Sequence, residues 1–396
     1  MPIQTLVRRV LALALAGAAL RAGAAPFVPK SDSDVLETLP IRANDPVAAE
    51  LRRLRADAAA SPGAAEPAAR LARRYFDLAM AEGDPRYVGY AEATLQRWPE
   101  TEGTPEEILL LRGMLRQYRH DFPRGMADFD LALRANPASV EARAWRSAIL
   151  MVQADYAGAR NECVLLAQNA SELHATACTG YVDATTGHAA AAYARLAAAL
   201  ARRNDVEPGF RAWIETRLAE MAWRAGDLAA AERHFRLGLA QGVDDNFLLA
   251  EYADFLLERG RPADVLALLR KWERSDTLLL RLALAARALK LPEADKYTRA
   301  LGDRFSDAAL RGEKLHLQEE ARYLLDLKGD AKAALAAAAE NYRTQREPRD
   351  AQVLMDAALA AGEPGAAAPA LRWLEASGFE SRRLRELAAR LKAAPR

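Results

Sequence analysis

Cysteine is almost missing from this chain of 396 residues: Cys163 and Cys178 are the only two. One bridge is the most they could form, and few thiolates are left for a metal site. Long apolar runs are scarce too. The longest, from Val10 to Leu20, falls short of the roughly 20 residues a resident membrane helix needs. The alanine-rich stretches 189–201 and 331–339 are interrupted by Arg195 and bracketed by Lys332 and Glu340, which marks them as surfaces where helix axes approach closely. Charge of one sign is lacking as well. The formal net charge is +1, and acids and bases alternate along the chain, a poor footprint for nucleic acid, which calls for a basic stripe. There is no His-Glu-x-x-His, no Gly-x-Ser-x-Gly and no Gly-x-x-x-x-Gly-Lys-Ser/Thr, so no hydrolytic or phosphate-binding motif is present. Adjacent carboxylates such as Asp244-Asp245 and Glu319-Glu320 point in different directions on a helix and are expected to be solvated. No alternating apolar–polar pattern with hairpin turns occurs, and the fold is expected to be all-α.

The N-terminus carries a different signal. Arg8 and Arg9 precede the apolar run, and Ala22-Gly23-Ala24 offers small residues before a cleavage point ahead of Ala25. Residues 1–24 are therefore read as a secretory signal peptide, with Arg8-Arg9 leaving a twin-arginine route open. Removing it takes away three arginines and no acid, which moves the net charge from +1 to −2. Residues 25–45, with Pro26, Pro29, Pro40 and a Ser-Asp cluster, read as an extended lead-in. Asp45-Pro46 then opens a helix that Ser61-Pro62-Gly63 ends.

From there the chain repeats. Gly113 aligns with Ser147, Gly125 with Ala159, Phe129 with Cys163 and Ala132 with Leu166, all at an offset of about 34 residues. Turn signals recur in the same step: Gly226-Asp227, Gly260-Arg261, Glu293-Ala294, Lys328-Gly329-Asp330 and Gly362-Glu363. Each ends one helix and starts another. Units of this length cannot bury an apolar face alone and must stack on their neighbours.

The residue types at these phases resemble the tetratricopeptide repeat, as in Leu109, Gly113, Gly125, Phe129, Ala132 and Pro137 of one unit and Ala219, Gly226, Ala231, Phe235 and Gly238 of another. HEAT-like or Sel1-like helix pairs have periods that fit worse. The unit 278–305 departs most, its turn Lys290-Leu291-Pro292 having no glycine. The resemblance implies a right-handed α-solenoid of stacked helix-turn-helix units over 46–377. Residues 378–396 would form a capping helix, with Leu384, Leu387 and Leu391 on one stripe. It also implies that the first helix of each unit lines a concave groove. Carrying the family's ligand-facing phase over selects His174, Tyr181, Trp213, Glu220, Trp223, Phe247, Asp254 and Leu257 as partner-binding residues. Aromatics beside carboxylates would suit an extended, somewhat basic peptide or an apolar helix. The same phase puts Cys163 and Cys178 on antiparallel neighbouring helices. A disulfide there would close a short loop and add roughly 3 kcal/mol in the chain-entropy model. Two buried thiols serving as small apolar residues are the alternative.

His174, Cys178 and His188 allow a metal-dependent enzyme to be drawn, but zinc needs three or four converging ligands. His120, His234 and His316 stand alone and are read as structural. The expectation is a non-enzymatic protein-interaction scaffold of a bacterial cell envelope, periplasmic or secreted, with no cofactor and no metal. A structural spacer is the remaining rival.

Overall fold

The computed structural model describes Ser31 and residues 45–394; the stretch read as a signal peptide and nearly all of the expected lead-in lie outside the described residues. The chain divides into a short segment, 1–52, and a large one, 53–396. In the short segment Asp45 accepts hydrogen bonds from the Val47 and Ala48 N–H groups at the start of the helix Pro46–Ala60.

The large segment is all helical among the described residues. Nine helical hairpins follow one another: 65–95, 106–135, 140–166, 172–201, 208–239, 246–269, 276–310, 317–341 and 348–377, here called repeats one to nine. A single helix, Arg382–Ala393, closes the series and buries Leu384, Leu387 and Leu391 against repeat nine, leaving its arginines outside. The architecture is an α-solenoid. In the hairpin of repeat two a small residue lets two helices cross closely. At Gly113 an added Cβ would sit 2.5 Å from the Phe129 ring, so glycine is what allows Phe129 to be fully buried there.

One turn device recurs between the two helices of each repeat. A residue in the left-handed region stops the first helix; in repeats two to seven and nine the next N–H reaches back five residues, and an aspartate often caps the second helix. In repeat five these are Gly226 at φ 86°, the Asp227 N–H on the Ala222 carbonyl at 3.0 Å, and the Asp227 carboxylate accepting from the Ala230 N–H at 2.9 Å. This is the Schellman stop followed by an N-cap. Repeat seven keeps the geometry without the glycine. Lys290 takes φ 55°, and the Leu291 N–H still bonds the Ala286 carbonyl at 2.9 Å. Repeat eight is altered by one residue. Its first helix ends in a π-helical turn, Tyr323–Lys328, and the Asp330 N–H reaches back six positions to Leu324.

The predicted trough is not open along its length. The turn of an early repeat meets the loop that precedes a repeat about six places later, so successive superhelical turns touch edge to edge. In repeat one, a Cβ at Gly83 would come within 2.7 Å of Ser275 Oγ. Burial and the nearby His316 push His120, in the turn of repeat two, down to about 4. In repeat three the Val152 carbonyl accepts from the Arg346 N–H at 2.7 Å, and the Tyr156 hydroxyl accepts from Trp373 Nε1 at 2.7 Å. In repeat four the Ala189 N–H, at a helix start without a cap of its own, donates to Glu380 Oε2 at 2.7 Å. These contacts, from four successive repeats, share one register and form a seam along the edge of the concave side, whose interior is here called the channel.

Candidate functional site

The first helices of repeats four, five, six and nine point into that channel and meet. Arg217, buried, has its guanidinium 4.4 Å from the Phe247 ring centre, 4.8 Å from Tyr181 and 5.5 Å from Trp213. It pairs with Glu220 at 2.9 Å, while its Nε has no hydrogen-bond partner. Arg349 crosses the channel from repeat nine, lies 4.4 Å from the same Phe247 ring and pairs with Glu251 at 3.2 Å. The Tyr181 hydroxyl donates to Glu347 at 3.4 Å. Two arginines thus share one phenyl ring, and burial of Arg217 is the setting in which a cation–π contact is worth most.

The charges in this cluster are unevenly matched. Burial raises Glu220 to about 7, with Glu251 adding to the rise and Arg217 opposing it. Burial works against the Arg217 charge as well, but Glu220, Tyr181 and Glu251 outweigh it and hold the guanidinium protonated. Asp350, just behind the cluster, is also raised to about 7 by burial and by Glu347. It accepts hydrogen bonds from Asn341 Nδ2, Gln318 Nε2 and the Glu347 N–H, which ties down the base of the loop before repeat nine.

A second cluster lies further along the inner face. Asp254 receives Arg322 at 2.9 and 3.0 Å and Arg281 at 2.7 Å. Burial opposes its charge, but the two arginines win and hold the carboxyl well below the usual carboxylate range. Glu319 stands 3.6 Å from Arg281 and is buried, unlike the solvated carboxylate expected from its adjacency to Glu320. Arg281 has a 1% exposed side chain and could not be held there as a cation without these partners. Beyond it a cleft of ≈ 380 Å³ is lined by Arg322, Asp326, Asp356, Arg383 and Arg390 among others.

The eight positions selected from sequence are therefore distributed as follows. Tyr181, Trp213, Glu220 and Phe247 converge in the first cluster, and Asp254 anchors the second. His174 stacks on Phe210 at 4.2 Å, and Phe210 stacks on Trp213 at 6.1 Å. Trp223 donates from Nε1 to Glu258 at 3.2 Å and meets Phe255 edge-on, while Leu257 packs on the central core. The set is less acidic than its residue types imply, because Arg217, Arg281, Arg322 and Arg349 neutralise it. A sequence signal for two of these existed: Arg217 and Arg281 each stand nine residues before the left-handed turn residue of their repeat.

Cys163 and Cys178 are bridged, with Cα atoms 5.5 Å apart, across the helices Tyr156–Leu166 and Glu172–Thr185. The bridge takes both thiolates out of the metal site drawn with His174 and His188. His234 is held by Glu215 at 2.7 Å and Tyr193 at 2.9 Å, a buried chain between repeats four and five. No helix among the described residues is long and apolar enough to cross a membrane.

No family model matches the chain. No curated protein matches it either. Among solved structures it is similar to the APC/C hetero-tetramer Cut9–Hcn1, at 13% identity over 84% of this chain and 64% of that one, with a TM-score of 0.47. The chain thus spans about 64% of that protein's length. It is also similar to yeast Tom70, at 11% identity over 88% of this chain and 84% of that one, TM-score 0.41. The TPR domain of P58(IPK) matches at 15% identity over 80% and 93% of the two chains, TM-score 0.20.

Proposed function

We propose that this chain is an exported, non-enzymatic scaffold of a bacterial cell envelope that holds a protein partner on the inner face of its helical array. The carrying observation is the convergence of Tyr181, Trp213 and Phe247 with Arg217 and Arg349 at one place in the channel. Trp, Tyr and Arg are the residue types that dominate binding energy at protein interfaces. The disulfide supports the export half of the reading, since such bonds persist in oxidising compartments. On this plan residues 1–24 are a signal peptide cleaved before Ala25, 25–45 a lead-in, 46–377 the array and 378–396 its cap. His174, Glu220, Trp223, Asp254 and Leu257 would then flank the central contact.

The test is photocrosslinking in intact cells from inner and outer positions of the full chain. A crosslinking residue at Phe247 or Leu257 is expected to capture one protein that binds again when both are purified. The same residue at Val164, which is 56% exposed on a second helix, should not. Capture from Val164 alone, or from none of the three, defeats the reading.

A further inference from the structure

The inner face is already occupied by part of the same chain. The loop ahead of repeat nine and the first turn after it, residues 344–349, read Thr-Gln-Arg-Glu-Pro-Arg. The equivalent loop ahead of repeat three, Asn136 to Ser139, bonds within itself and caps the next helix. Residues 344–349 do the same, with Thr344 and Gln345 on Asn341 and Glu347 capping the next helix, but they also reach three distant repeats. The Arg346 N–H donates to the Val152 carbonyl of repeat three, Glu347 accepts from Tyr181 of repeat four, and Arg349 lies on Phe247 and pairs with Glu251 of repeat six. These are the bonds by which a foreign extended segment is recognised: a backbone N–H, a carboxylate and a guanidinium, each with a fitted acceptor or donor.

The segment is also built to leave. None of residues 343–349 is buried, so little apolar surface holds it in place. Its backbone is secured locally, since Asp350 holds the Glu347 N–H as well as Asn341 and Gln318, and Thr344 and Gln345 bond Asn341, so only side chains need to move. Swinging the Glu347 and Arg349 side chains away would therefore cost polar contacts that an incoming segment of the same chemistry restores.

We infer that residues 344–349 are a built-in surrogate ligand, and that the partner's docking segment carries a glutamate and an arginine two residues apart and displaces them. This rests on the inner face being the partner site. Tethering gives the surrogate an effective concentration in the millimolar range, so it excludes weak, unmatched peptides while a longer partner with further contacts prevails.

The probe is a fluorescein-labelled peptide, Thr-Gln-Arg-Glu-Pro-Arg, titrated by anisotropy with the full-length protein. Against the wild type the surrogate competes and binding is weak. Against R349A/W373F, which leaves Arg217 alone on the Phe247 ring and removes one seam bond, affinity is expected to rise at least about tenfold, the effect of taking away a tethered competitor. Adding F247A to that variant should abolish the gain, and so should a peptide ending in alanine. Equal binding to wild type and variant, or equal binding of a scrambled peptide, overturns the inference. If circular dichroism shows R349A/W373F to be unfolded, R349A alone, which keeps the Trp373–Tyr156 bond, serves with the same outcomes. A failed peptide together with successful capture from Phe247 removes the surrogate but keeps the scaffold; the reverse result removes the scaffold and keeps the peptide site.

Discussion

The two inner clusters are made from the same residue types and behave oppositely. Around Asp254 two arginines converge on one carboxylate, and its charge is locked in. Around Glu220 a single arginine is shared with aromatic rings, a second carboxylate stands near, and the proton is held to about pH 7. Burial penalises both carboxylates. What separates them is the number of guanidiniums aimed at the carboxylate, because paired Coulombic attraction grows with each partner while the desolvation cost of one carboxylate is incurred once. The Asp254 cluster is a structural lock, whereas the Glu220 cluster holds the more adaptable contacts that the proposed partner would exchange.

That contrast can be broken most forcefully at Asp254. D254A leaves Arg281 and Arg322 without their carboxylate and is expected to cost about 3–5 kcal/mol in urea denaturation, the usual result of orphaning a buried charge. At the other cluster, F247A removes the ring from two guanidiniums but strands no charge, and about 2 kcal/mol should be lost. R349K keeps the charge and forfeits the planar stacking, for a loss of about 1 kcal/mol by the same measurement. The smallest effect sharpens the comparison through pH. Glu220 has a folded pKa near 7, above its ordinary value of 4.5, so the folded state holds the extra proton and stability falls as pH rises between those values. The Tm difference between wild type and E220Q should therefore shift against the wild type from pH 5 to pH 8. Asp254, depressed below its ordinary range, gives the opposite sign: its contribution is complete at neutral pH and is lost only as strong acid protonates it.

Much of the solenoid was legible in the residues. The turn chemistry at Gly226-Asp227 and Gly329-Asp330 is local, so a stop and a cap could be read directly and appear where expected. Lys290 shows why the missing glycine of repeat seven did not matter: the hairpin's packing holds a lysine in the left-handed region. The candidate site was legible only in part. The ligand-facing phase picks out Tyr181, Trp213 and Phe247 in repeats four to six, and Arg349 of repeat nine occupies the same phase as Trp213 and Phe247, thirteen residues before its turn glycine. Which repeat faces which across the channel depends on superhelical curvature, and a linear period carries no record of it.

The sequence by itself determined the hairpins, their order and their turns, since helix propensity, caps and apolar phase act over a few residues. Only the tertiary structure decided that the trough closes along a seam, that Cys163 meets Cys178, and that Arg349 reaches Phe247. Small rotations between neighbouring repeats add up over six of them, and it is their sum, invisible in any one repeat, that brings distant side chains into contact.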